Sequence, residues 1–139
     1  MVRNPSFIRP WQHVLDPLHG YLLLGVWLGL QKGADAAVIP GAFNFGPSTA
    51  GHRPVRDLVK EILRHWPGEW RASMQVGTPR EAPVLRLDAS EARQLLGWKP
   101  RWGFAESVAR TVAWYKHGRS PRAAREVTLG QIADFSREP

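Results

Sequence analysis

The chain has 139 residues, 43% of them hydrophobic and 22% charged. That suits one globular domain and excludes both a disordered chain and two full domains. Without cysteine it has no disulfide, thiolate nucleophile or thiolate metal ligand, and its net charge of +7 rests on 15 arginines against 4 lysines, scattered without a block of like charge, which favours planar recognition of phosphate or carboxylate over a basic nucleic-acid tail.

Arg3 and Arg9 stand six apart near the start, in a stretch stiffened by Pro5, Pro10 and Trp11. In Arg9-Pro10-Trp11-Gln12-His13-Val14 a cation is locked beside an aromatic wall, with Gln12 and His13 as hydrogen-bonding neighbours. Guanidinium forks bind phosphate oxygens two at a time, so fixed arginines ahead of a packed helix suit a phosphate of defined position. An ordinary loop before a helix is the plain alternative.

Asp16 reads as an N-cap and Pro17 as a first-turn proline, opening a helix over 17–32 that Gly33 ends. Leu18, Leu22, Val26 and Leu30 form one stripe. Leu23, Leu24, Trp27 and Leu28 make the helix apolar nearly all round, the pattern of a helix buried on several sides. Gly25 and Gly29 would let a neighbouring element approach closely. The run from Leu18 to Leu30 is shorter than the roughly 20 residues of a bilayer span. No secretory signal is visible, so a soluble cytoplasmic protein without membrane partners is the expectation.

Ala42 to Phe45 predicts a short strand entering the turn Gly46-Pro47-Ser48. Backbone amides in such a turn suit an anion, although a plain strand-to-helix connection is the more frequent meaning of such a turn. Pro54 precedes an amphipathic helix through Val55, Leu58, Val59, Ile62 and Leu63, stopped by Pro67-Gly68. Residues 69–76 and 83–87 predict two strands. Ser90 reads as the cap of a helix over 91–96 that ends at Gly97. Phe104 to Trp114 is a further amphipathic helix. Gly118-Arg119-Ser120-Pro121 reads as a linker and 122–136 as a tail helix, dividing the chain into residues 1–118 and 119–139. The expected class is mixed α/β, and so small a sheet is a poor free-standing core.

Several motifs are missing. No glycine-rich dinucleotide turn opens a βα unit, and neither tyrosine has a lysine four residues on: Gly25 follows Tyr21 and Arg119 follows Tyr115. Neither a nucleophile elbow nor a phosphate-binding Gly-x-x-x-x-Gly-Lys loop occurs. The five histidines lack metal-ligand spacing. No catalytic, cofactor-binding or metal-ligating residue is assigned.

The stretch from Arg3 to Leu24 closely resembles the nucleotide-sugar-binding segment of CDP-glucose 4,6-dehydratases, in the extended short-chain dehydrogenase/reductase family. Further matching motifs fall in family order: Asn44-Phe45-Gly46-Pro47, Arg53-Pro54-Val55, Pro79-Arg80-Glu81-Ala82, Leu85 to Ser90, Leu96-Gly97-Trp98-Lys99-Pro100, and Thr128-Leu129-x-Gln131-Ile132. In that family the first stretch follows the whole cofactor-binding half. The resemblance therefore implies a small mixed helix-and-strand C-terminal substrate-binding lobe, without the Rossmann half.

It also implies roles. The arginine at the place of Arg9 contacts the sugar nucleotide's pyrophosphate, Arg80 falls near a second phosphate ligand, and Arg3, Asn4 and Arg53 complete the set. Asp88, Ser90 and Trp98 are read as cap and packing residues. In the complete enzyme NAD takes hydride from C4, a tyrosine takes the hydroxyl proton, water leaves across C5 and C6, and hydride returns to C6. Those groups belong to the other half, so the expectation is a chain that alone binds no NAD and is inactive. The implied partners are a nucleotide-diphosphate sugar, the missing half if separately supplied, and a second copy in a homo-oligomer. The helix over 17–32 would then expose apolar surface meant for that half. Two other readings stand beside this one: a small basic nucleic-acid-binding module using seven tryptophans and 15 arginines, and a nonfunctional remnant of a split gene.

Overall fold

A computed structural model describes residues 1–30, 41–73 and 81–137. Among them, four short strands form two separate pairs. Strand β1 (Val2–Arg3) runs parallel to β4 (Ala72–Ser73), with Val2 opposite Ala72 and Arg3 opposite Ser73. Strand β2 (Ile8–Pro10) runs antiparallel to β3 (His52–Pro54), with Arg9 opposite Arg53. Proline stands at the end of β2 and of β3, where its missing N–H costs the ladder least. Asn4, in the left-handed region at φ 49°, turns the chain between β1 and β2, and its carbonyl accepts from the amide of Phe7 at 3.0 Å.

The three strands predicted after the first helix are reduced or absent among the described residues. Residues 42–45 join no ladder among the described residues, so no strand forms there. The strand expected over 83–87 is a single parallel bridge between Ile8 and Val84. The strand expected over 69–76 contributes β4 only; residues 74–76 lie outside the described residues. A strand exists through its ladder, and these segments find no full ladder among the described residues.

The helices follow the sequence pattern more closely. They are α1 (Leu15–Leu30), α2 (Val55–His65), α3 (Ser90–Leu96), α4 (Phe104–His117) and α5 (Pro121–Arg137). None is long and apolar enough to cross a membrane. α2 packs on α4, α4 on α5, and α1 on α3. Ser120 opens α5, its hydroxyl accepting from the amide of Ala123 at 3.2 Å. α3 ends at Gly97, whose φ of 63° places it in the left-handed conformation common after helices.

Three local expectations need correction. Asp16 does not cap α1 from outside. It lies in the first turn, fully buried, with Oδ1 accepting from the amide of Arg101 at 2.7 Å. Ser90 is likewise not a cap: its own amide is held by the Asp88 carboxylate at 2.9 Å. Close approach to α1 occurs at Gly20 rather than Gly25 or Gly29. A Cβ on Gly20 would fall 2.3 Å from the Phe45 ring, while Gly25 and Gly29 face open space.

The core forms where α1 meets α3: Phe45, Ala89, Ala92 and Trp98 are buried, with Leu23 and Leu24 of α1 packed against them. Trp98 is fully buried and its indole donates to the Asp16 carbonyl at 3.1 Å, which satisfies the polar edge of a large apolar group. Trp102 continues this packing, its ring 4.7 Å from His13 and 5.0 Å from Phe135. α1 is not buried on several sides. Leu18, Tyr21, Leu22, Val26, Leu28 and Leu30 are all exposed, so its apolar surface is covered along one stripe only.

Candidate functional site

The β2–β3 pair fixes the region around Arg9. The Trp11 amide donates to the Gly51 carbonyl at 3.0 Å and its indole to the Arg53 carbonyl at 2.9 Å. The amides of Val55 and Arg56, at the start of α2, donate to the carbonyls of Phe7 and Pro5 at 2.9 Å each. The turn over 4–7 is thereby tied to α2, and these two amides of the helix are already used.

Within this frame the Arg9 guanidinium is tightly held. Its Nη1 donates to the carbonyls of Ile8 at 2.8 Å and Ala82 at 3.1 Å. Its Nη2 forms an ion pair with the carboxylate of Glu81. The cation lies over the Phe7 ring, 5.3 Å from the centroid. The aromatic wall is thus Phe7, just ahead of β2, rather than Trp11. Gln12 and His13 turn away: Gln12 donates to the Phe45 carbonyl at 2.7 Å and His13 is buried against Trp102.

Glu81 is where the predicted residues converge. A hydrogen bond from Arg9 is the main cause holding its carboxyl below the ordinary range, and the charge of Arg9, a hydrogen bond from Asn4 and the charge of Arg3 act in the same sense. Arg9 therefore pairs directly with a carboxylate 72 residues away, and Asn4 and the charge of Arg3 act on the same group. Glu81 itself was not singled out by sequence reasoning. The only signal was an acid following Arg80 in a matched motif, and Arg80 lies outside the described residues.

Arg53 engages a different set. Although opposite Arg9 in the ladder, it donates to the Ala50 carbonyl at 2.8 Å and lies 5.0 Å from the Phe104 ring centroid. It lines a cleft of about 580 Å³ between α2 and the start of α4, where Lys60 and Arg64 are offset by Asp57, Glu61 and Glu106. Such mixed charge gives no strong preference for an anion. The turn at 46–48 is also a poor anion cradle: Gly46 and Pro47 are buried, and a Cβ on Gly46 would fall 2.7 Å from Leu87. Among the described residues no three His, Asp or Glu side chains cluster as metal ligands do.

A chain with this arginine-lined edge is 39% identical over 118 residues to the CDP-glucose 4,6-dehydratase of Salmonella typhimurium, a match covering 84% of this chain and 32% of that protein. The chain is homologous to part of the nucleotide-sugar 4,6-dehydratases. It is 31% identical to a dTDP-glucose 4,6-dehydratase of Actinoplanes, over 81% of this chain and 32% of the relative. The corresponding Streptomyces antibioticus enzyme is 32% identical, over 81% and 31%. The chain thus spans about a third of the length of the curated relatives it matches. No protein-family model matches it.

Proposed function

We propose that this chain is the substrate-binding lobe of a nucleotide-sugar 4,6-dehydratase, gripping the diphosphate of a CDP-sugar at the edge formed by Arg3, Asn4 and Arg9. The observation that supports the reading is the Arg9 guanidinium, fixed by the Ile8 and Ala82 carbonyls and facing a carboxylate on its outer side, in a chain 39% identical to a CDP-glucose enzyme. Donors that converge on one anion suit another anion of greater charge, and charge-assisted hydrogen bonds to phosphate are about twice as strong as neutral ones. Arg53 would assist from the neighbouring strand only if its side chain left Phe104 and Ala50.

In the complete enzyme NAD would supply the hydride chemistry, but the described residues do not fit that cofactor. Their only parallel strand pair, β1 with β4, is two residues long on each side, and a dinucleotide site needs a doubly wound sheet with a glycine-rich turn. No step through NAD is assigned to this chain. The exposed apolar face of α1 would seat on the rest of the dehydratase fold. A nucleic-acid module has less support, because Trp98 and Trp102 are spent in the core and of the seven tryptophans only Trp66 is well exposed.

Calorimetric titration of CDP into the chain tests the proposal. Arg9→Ala removes one charge-assisted bond and should weaken binding by about 1.5–3 kcal/mol, or roughly tenfold to a hundredfold. Arg119→Ala, at an exposed position before α5, should change little. Equal losses in both variants would point to a diffuse positive field and remove Arg9 from the site.

A further inference from the structure

Glu81 does more than mark the site. Building on the diphosphate assignment of Arg9, we infer that Glu81 is a built-in competitor: its carboxylate occupies the guanidinium that the diphosphate would take, and substrate binding must displace it.

The two partners of this ion pair are unequally placed. The Arg9 side chain is 15% exposed and pinned by the Ile8 and Ala82 carbonyls as well, whereas the Glu81 side chain is 58% exposed. The cation is the fixed member and the carboxylate is the outer, water-facing one. Both hydrogens of Nη1 are committed to backbone carbonyls, so an anion must come to the Nη2 side, where Glu81 already sits. Ion pairs open to water contribute little, so the exchange is energetically within reach of a ligand bearing about two charges. The Arg3 charge and the Asn4 side chain act on the same carboxylate, so an anion in the vacated position would keep a favourable field there. The ligand class is a diphosphate group, and the device keeps the arginine ordered and its charge offset until that group arrives.

Titrating the full 139-residue chain with inorganic pyrophosphate tests the inference. Glu81→Gln keeps the shape and removes the competing charge. It should tighten pyrophosphate binding by about twofold to fivefold, the worth of an exposed ion pair. Adding Arg9→Ala to that variant should abolish the gain. Glu91→Gln removes the same charge at an exposed position of α3 and should leave the affinity unchanged. If Glu81→Gln binds no more tightly than the unaltered chain while Arg9→Ala still weakens binding, the competitor role is wrong and the Arg9 assignment stands. An equal gain from Glu91→Gln would also overturn the competitor role, leaving only net charge. If Arg9→Ala has no effect in either background, both the inference and the assignment beneath it fall.

Discussion

The layer of α2, α4 and α5 and the helix α1 complete their apolar surfaces in different ways. In the layer, Val108 and Val112 of α4 and Phe135 of α5 are buried. Polar groups there are also matched within the chain: Gln131 donates to the Arg110 carbonyl at 2.7 Å and the Trp114 indole to the Thr128 hydroxyl at 2.9 Å. Arg110 bridges Glu106 and Asp134 from the two helices. On α1, by contrast, Leu22 is 71%, Val26 62% and Leu30 76% exposed. Contiguous uncovered apolar surface of this kind marks an interaction face. The difference is one of degree: Tyr115 of α4 and Leu129 and Ile132 of α5 also stay exposed, but the layer encloses a buried apolar seam, whereas the outer face of α1 buries none of its leucines.

The sharpest way to break this contrast is at the seam where α1 does find a partner. Trp98 is fully buried against α1 and α3. Trp98→Ala should cost about 3–5 kcal/mol, the usual range for a buried large aromatic, read as a fall in the denaturant midpoint. A loss under about 1 kcal/mol would mean that α1 is hardly held by the chain at all.

A smaller effect concerns His13, which joins the start of α1 to α4 and α5. Burial first, and then the charge of Arg110, push its pKa below the ordinary 6.5. The folded state therefore takes up the proton later than the unfolded chain. The resulting stability is fully present above about pH 6.5 and declines as pH falls toward the lowered value. His19 is shifted the same way by burial and Arg101. Replacing His13 by Asn should flatten, without abolishing, the loss of stability between pH 7 and about pH 5. An unchanged slope would place His13 in water.

What the sequence made legible follows the range of the forces involved. α2, α4 and α5 are set by local apolar periodicity and nearby breakers, and they lie close to where the pattern places them. The segments at 42–45 and 83–87 carry strand-like residues, but pairing depends on a partner that local sequence does not name. Asp16 has the composition of a cap, and a contact with Arg101, 85 residues away, decides its role instead. At the candidate site Arg9 is legible because prolines and a tryptophan surround it. Glu81 is not, since an ion pair spanning 72 residues leaves no local trace.

The claim that α1 presents a face made for the rest of a dehydratase fold is tested most directly by sedimentation of the chain across a concentration series. The expected result is reversible self-association that Leu22→Glu with Val26→Glu abolishes while helix content and denaturant midpoint stay unchanged, since both side chains are already in water. A clean monomer at every concentration, or a double variant that unfolds, would contradict it.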